Sequence, residues 1–332
     1  MSKTILVIDG DLVAFRSAAA NEARSIRVTH KETGQTTSHA HKTAFREHIK
    51  GVFDESEFDI EEVRTPEDIS YAFHAINTTI EGLAKTCKAG EIEVYLGGKN
   101  NFRDNLPLPS KYKGNRPESR PVQLKECRDY LVKRWKAKIV DGREVDDMLA
   151  QRCYDGIKSR QKIIAATIDG DQNGVAGWMY NWTKMDKPFL VKGLGEIHLN
   201  DDRKDFDGYG RKFFYAQWVY GDWSTDHFKP SEIAGKKFGV VAMYNLLKDC
   251  ETDKECVQAV YNQYKKWYPK EPIVYKDWQG NEQSKSLIEI MDIYASCAHM
   301  KRWEYDVFDT QALLDKLGIE YEEQECQSQT EN

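Results

Sequence analysis

Apolar and polar positions along the chain follow two periods, one of strands and one of helices. Residues Lys3 to Asp9 form a run rich in Ile, Leu and Val, the pattern of a buried strand. From about Asp11 to Asn21, Leu12, Phe15, Ala18 and Ala19 recur on one face, which predicts a helix. Residues 25–42 read as a β-hairpin around Thr33–Gly34, and the acidic stretch 50–66 as a loop. Pro66 is expected to open a helix that ends near Gly90. EIEVYL (91–96) is a second strand, and residues 99–121 are polar, basic and punctuated by proline. A helix at 121–135, a strand at 138–140, a helix at 143–154 and a strand at 162–168 come next. After about residue 220 the strand signal fades, and helices are expected near 231–248, 253–267, 285–301 and 310–317. No internal repeat is visible. Strands alternating with helices imply an α/β fold: a mostly parallel sheet with helices on both faces, followed by a smaller helical region.

Composition narrows the class. The 332 residues are 40% hydrophobic and 31% charged, and no run approaches the ~18–20 apolar residues of a membrane span. The N-terminus enters a strand directly, without a signal-peptide pattern, so a cytoplasmic chain with no membrane partner is expected. Seven cysteines without a C-x-x-C pair fit reduced core thiols better than disulfides or a zinc site. His39 and His41, the one tight histidine pair, read as surface residues. The tryptophans of the 178–223 segment (Trp178, Trp182, Trp218 and Trp223) read as core, with stacking on bases the alternative.

A net charge of -6 argues against a nucleic-acid partner, but the average conceals segregation. Between Lys99 and Arg143 there are thirteen Lys and Arg against five Asp and Glu, whereas from Gly318 onward five glutamates (320, 322, 323, 325 and 331) meet no basic residue. Such an asymmetry suggests one surface built for polyanions. A solvated helical face is the alternative, and charge alone does not separate the two. The tail reads as a solubilising end.

In an open parallel sheet, ligands bind beyond the carboxyl ends of the strands, and the acids collect there. Asp9 and Asp11 end the first strand in VIDGD, and Glu144, Asp146 and Asp147 open a helix in REVDDM. Asp169 and Asp171 follow the strand at 162–168, in ATIDGD, and Asp222 and Asp226 lie in VYGDWSTD. Taken singly, helix-dipole and turn chemistry account for each cluster. Together they do not: two negative charges ~4 Å apart repel by about 4 kcal/mol at an effective dielectric of 20. A pocket of six or more carboxylates therefore needs cations, and all-oxygen ligands select Mg²⁺ or Mn²⁺. A pair of such ions suits attack of water on a phosphodiester. The basic stretch can hold the backbone, with Lys113 and Arg116 of KYKGNR near the phosphate and Tyr112 stacking on a base.

VIDGD, YKGNR, EVDD, DGD and GD-x-x-x-D occur in an order that resembles the 5′-nuclease (flap endonuclease-like) superfamily. The closest likeness is to bacteriophage 5′→3′ exonucleases and the 5′-nuclease domain of bacterial DNA polymerase I, over roughly residues 5–250. The resemblance implies a PIN-like domain over residues 1–220 with a basic arch at about 99–123. It also implies a helical DNA-binding region at 221–305 with a helix-three-turn-helix, and a terminal helix with an acidic tail at 306–332. Two Mg²⁺ ions are implied on Asp9, Glu144, Asp146, Asp147, Asp169, Asp171, Asp222 and Asp226. Asp9, Asp169, Asp171, Lys113 and Arg116 then carry the catalysis. DNA contacts fall to Lys111, Tyr112, Lys113 and Arg116 and to the EIAGKKFG hairpin, with Gly235, Lys236, Lys237 and Gly239 and a K⁺ ion as in some members.

Two departures stand out. The family has an aspartate after the second strand where this chain has Gly98, with Asp104 the nearest substitute, and the Asp222–Asp226 spacing is one residue longer than usual. The expected activity is metal-dependent hydrolysis of DNA at a 5′ end, flap or nick, in replication, primer removal or recombination, in the host cytoplasm for a phage-encoded chain. A replicative polymerase is a candidate partner. A DNA-binding homologue impaired by Gly98, or a nuclease acting on RNA/DNA hybrid, are the alternatives.

Overall fold

The structure, a computed structural model, describes residues 3–116 and 119–321. The glutamates at 322, 323, 325 and 331 and Cys326 lie outside the described residues.

The chain runs β1 (Ile5–Asp9), α1 (Gly10–Ala20), β2 (Glu22–His30), β3 (Thr36–His39), α2 (Lys42–Ile49), β4 (Phe58–Pro66), α3 (Ile69–Cys87) and β5 (Glu91–Gly97). After a long strap come α4 (Leu124–Trp135), β6 (Lys138–Val140), α5 (Val145–Ser159), β7 (Ile163–Ala166), β8 (Gly177–Tyr180), β9 (Phe189–Val191), β10 (Glu196–Leu199) and β11 (Phe206–Tyr209). The rest is α6 (Arg211–Tyr220), α7 (Val240–Leu247), α8 (Asp253–Trp267), β12 (Ile273–Lys276), β13 (Glu282–Lys285), α9 (Leu287–Ala298) and α10 (Thr310–Leu317).

The central sheet has the order β6-β5-β1-β7-β8-β9. All its pairings are parallel except that of β8 with β9. β1 is buried throughout because both its faces are covered. Leu6 and Ile8 join the core that includes Val13, Ile76 and Leu131, on α1, α3 and α4, while Ile5 and Val7 pack with Leu149 and Cys153 of α5. The chain leaves β1 for β5 and β6 on one side and returns to β7 and β8 on the other. The crevice where strand order reverses therefore opens at the end of β1. Gly10 makes that turn possible, since a Cβ there would lie 2.7 Å from the Tyr95 carbonyl oxygen. A third core, with Trp218, Tyr264 and Tyr294 among its largest members, gathers the C-terminal helices.

Several expectations are corrected. Residues 58–66 are not a loop: β4 pairs along the whole of β2, and with β3 they form an antiparallel sheet that packs α2 through Ile26, Val28, Phe45 and Ile49. Pro66 ends β4, and the next helix starts at Ile69 with Asp68 as its cap. The helix expected from 231 begins only at Val240, and a β12–β13 hairpin lies beyond residue 220, where the sequence pattern points to helices. The cysteines at 87, 127, 153, 256 and 297 are buried free thiols, as the sequence suggested.

Candidate active site

Four elements deliver acids to the crevice. Asp9 caps α1: its Oδ1 accepts from Asp11 N (2.9 Å) and Leu12 N (3.1 Å), which fixes the carboxylate at the end of β1. Asp11 turns away, accepting from Gly97 N (2.7 Å) and pairing with Arg128. Glu144 and Asp147 form a capping box at the start of α5, which leaves Asp146 between them. Asp169 and Asp171 follow β7 in a tight turn, where the Asp169 carboxylate accepts from Asp171 N (3.2 Å). Gln217 of α6 donates to Asp171 (2.7 Å), and Gln172 donates to the Asp146 carbonyl (2.8 Å).

Residues 99–116 do not form a free basic arch. They are strapped over the C-terminal core, with Leu108 and Tyr112 buried in it. The β12–β13 hairpin holds the strap, as Tyr275 donates to the Pro107 carbonyl (2.7 Å) and Trp278 N to that of Leu108 (2.8 Å). Tyr112, only 2% exposed, donates to Asp226 (2.7 Å) and Glu144 (3.2 Å) and is not available to stack on a base. Lys113 follows with a left-handed φ of 55° and its N–H on the Asp226 carbonyl (2.9 Å). That geometry swings its ammonium onto Glu144 and to within 3.4 Å of Asp226. Arg116 pairs with Asp226 at 3.1 Å. The basic excess of the sequence is thus partly spent inward, on the acids themselves.

Arg103 carries this furthest. With no solvent exposure, it donates bidentately to Asp147 (2.7 and 3.0 Å), also fully buried, and to the carbonyls of Ser296, Cys297 and His299. Asp147 also accepts from Lys301 N (2.9 Å), so both its oxygens are engaged away from the pocket. Burial alone would raise the Asp147 carboxyl, but Arg103 outweighs it and holds the group below the usual carboxylate range.

The remaining acids behave in the opposite way. Burial pushes Asp9 up to about 7, with the Asp169 and Glu144 charges adding to it and the Leu12 N–H and Lys113 opposing. Burial, and then the neighbouring carboxylates, raise Asp146 and Asp171 well above their ordinary value. Asp169 is raised too, by burial first and by Asp226 and Glu144. Lys113 is pulled down by burial, but Glu144 and Asp226 outweigh that and keep it protonated above the usual lysine range.

The donors suit a hard divalent cation. Asp146, 8% exposed, has one buried oxygen without a hydrogen-bond partner, a costly arrangement unless a cation faces it. As the side chains stand, no three acidic, histidine or cysteine groups among the described residues converge on one ion position. Lys113 instead takes up the charge of Glu144 and Asp226.

Asp9, Glu144, Asp146, Asp169, Asp171, Asp226, Lys113 and Arg116 act on one another in this crevice. Asp222 does not join them: its carboxylate caps its own loop, accepting from Thr225 N (2.8 Å) and Ser224 Oγ (3.1 Å). Asp104 is exposed and is not among the largest influences on Asp9 or Asp146. The space beside Gly98 is occupied, because a Cβ built there collides with Asp141 Oδ1 and lies 2.9 Å from Ile139 Cγ2. Lys111 lies over the Trp278 ring at 5.3 Å. Gly235 (φ 60°), Lys236, Lys237 and Gly239 are exposed in the turns before α7. Trp218 is core, but Trp223 is 48% exposed, contrary to expectation. Arg103, Arg128 and Gln217 escaped sequence reasoning, since their partners are distant along the chain.

No protein-family model and no curated protein matches the chain. Among solved structures it is similar to the bacteriophage T5 flap endonuclease in a pseudo-enzyme-product complex with DNA and metal ions. That match has 14% identity and a TM-score of 0.45, over 77% of this chain and 78% of that one. It is also similar to the T5 protein co-crystallised with metal ions (13%, TM-score 0.44, 90% and 86% covered). A third similar structure is the T5 5′-exonuclease with zinc bound (15%, TM-score 0.44, 89% and 85% covered).

Proposed function

We propose that this chain is a divalent-metal-dependent 5′-nuclease that hydrolyses DNA phosphodiesters at a 5′ end, flap or nick. The observation that carries the reading is the buried carboxylate cluster of Asp9, Asp146, Asp169 and Asp171 at the strand-order reversal, with an unpartnered Asp146 oxygen. The order of the sequence motifs supports it.

In this reading Asp9, Glu144, Asp146, Asp169, Asp171 and Asp226 hold the metal, Mg²⁺ or Mn²⁺, as two ions. Bound there, the metal supplies Lewis-acid activation of water and of the phosphoryl oxygens. Lys113 keeps its proton and offsets charge on the scissile phosphate, with Arg116 beside it. Asp147 braces α5 through Arg103, and Asp222 orders the loop that presents Asp226. Residues 1–220 form the catalytic part. Residues 221–305 grip the duplex, using the backbone at Gly235 and Gly239 with Lys236 and Lys237, and K⁺ belongs to the same turns.

Gly98, with Asp141 filling its space, favours one second reading: a DNA-binding homologue with impaired turnover. Incubating 5′-labelled flap, blunt-duplex and RNA/DNA-hybrid substrates with the protein in Mg²⁺, Mn²⁺ or chelator separates the readings. Short 5′ products only with metal, abolished by Asp169→Ala, support the nuclease. Tight binding without products in either metal supports the second reading, and preference for the hybrid redirects the first towards RNA primers.

A further inference from the structure

We propose that Trp223 is a stacking platform for a nucleobase of the strand whose phosphate enters the pocket. The inference rests on the nuclease reading and adds to it a contact that the pocket acids and cations do not provide: recognition of an unpaired or terminal base beside the phosphate.

Single exposed apolar side chains are ordinary, so exposure is only the starting point. Trp223 is 48% exposed, yet its backbone is tightly held. Its carbonyl accepts from Asn115 Nδ2 (3.1 Å), a residue of the KYKGNR turn and the neighbour of Arg116. The same Asn115 nitrogen donates to the Ser224 carbonyl (3.0 Å). Asp222 and Phe228 exchange backbone hydrogen bonds (3.1 and 3.2 Å) and close the loop beneath it.

The ring is backed on one side. His227 lies 4.2 Å away, centroid to centroid, tilted by 50°, and it takes a left-handed φ of 59°. A non-glycine residue adopts that conformation at a cost, repaid where the surroundings fix it. Here His227 Nδ1 hydrogen-bonds with the Lys111 carbonyl (3.2 Å), so the pair of rings rides on the turn that carries Lys113 and Arg116. The loop is locked a second time where Lys113 N donates to the Asp226 carbonyl (2.9 Å). The turn that carries Lys113 and Arg116 is thereby hydrogen-bonded to the loop that carries the exposed indole.

Tyr112, the aromatic of the same turn, is buried and cannot serve. An indole held beside phosphate-binding cations matches the way single-stranded nucleic acid is gripped: charge for the backbone, a π-face for the base, and little sequence preference because every base has such a face. Trp223 is thus assigned as a substrate-binding residue that orients the strand, with no part in the chemistry.

The test uses the full chain with Ca²⁺ in place of Mg²⁺ and 3′-labelled flap duplexes. The three 5′-most flap nucleotides and the junction nucleotide are replaced one at a time by an abasic residue. Wild type is expected to lose roughly tenfold to a hundredfold in affinity at one of these positions. Trp223→Ala should bind the intact flap more weakly by a similar factor and be indifferent to the abasic site, whereas Trp223→Phe retains much of the discrimination. Unchanged melting of both variants checks that the fold is intact. If Trp223→Ala keeps the wild-type abasic penalty, or binds the intact flap as tightly as wild type, the inference fails while the nuclease reading stands. If wild type binds none of these DNAs and releases no 5′ product in Mg²⁺ or Mn²⁺, both fail.

Discussion

Arg103 and Asp147 form a bidentate ion pair at 2.7 and 3.0 Å, with neither side chain exposed to solvent. Arg103→Ala strands a buried carboxylate and three main-chain carbonyls, so unfolding in urea should show a loss of about 3–5 kcal/mol. Arg103→Lys cannot reproduce the fork and should recover little. Because Asp147 is held below the usual range, its contribution is complete above the ordinary carboxylate pKa and disappears as pH falls through the lowered value. An Arg103→Ala variant within about 1 kcal/mol of wild type at pH 7 would contradict this role.

The pocket acids have the opposite sign. The native state binds protons that the unfolded chain has already released, so between an ordinary carboxylate pKa of roughly 4 and the value of about 7 for Asp9 the cluster costs more stability as pH rises. In chelator, Asp146→Asn should gain thermal stability relative to wild type on going from pH 5 to pH 8. Added Mg²⁺ or Mn²⁺ should raise the wild-type melting temperature at pH 8 and leave the variant nearly unmoved. Equal responses of the two proteins to metal and pH would remove Asp146 from the site.

Gly98→Asp should not improve turnover. The new side chain must displace Asp141, whose Oδ1 accepts from Lys99 N (2.8 Å), and crowd Ile139. A loss of roughly 1–2 kcal/mol is expected from the broken hydrogen bond and the added carboxylate. Pairing it with Asp141→Ala should recover part of that loss. Thermal melts and product release measured on the single and double variants decide, and a gain in rate from Gly98→Asp alone would show that the space is open.

Lys113→Met should reduce cleavage by roughly a hundredfold to a thousandfold in single-turnover assays, in the range of a lost charge stabiliser at a phosphate. Binding of the same DNA without turnover should weaken much less. Lys113→Arg should stay closer to the Met variant than to wild type, because the ammonium fits between Glu144 and Asp226 as a compact charge. Cleavage at the wild-type rate by Lys113→Met would end its assigned role.

The parts legible in the sequence were those with local signals. The run Ile5–Asp9, the acids that open α5 and those in the turn after β7 declare themselves by hydrophobicity and by capping and turn chemistry, and topology then brings them together. β4 was misread because its acids conceal an alternation: Asp59, Glu61 and Val63 oppose Thr29, Arg27 and Ser25, while Ile60 faces the small core beside Val28. The helix expected from 231 failed to form because Gly235 takes a left-handed φ of 60° that interrupts the run, and α7 starts only after Gly239. Arg103 was illegible for another reason. A charged residue in a polar segment looks solvated, and the carboxylate and carbonyls it donates to lie 44 to 196 positions away along the chain.

That separation also sets a timetable. Arg103 donates to the carbonyls of Ser296, Cys297 and His299, and Asp147 needs the N–H of Lys301. Domains fold from the N-terminus as a chain is synthesised, but this one cannot finish seating α5 until its C-terminal helices have emerged. A growing chain therefore holds an unfinished pocket until residues 296–301 are free to close over Arg103 and Asp147.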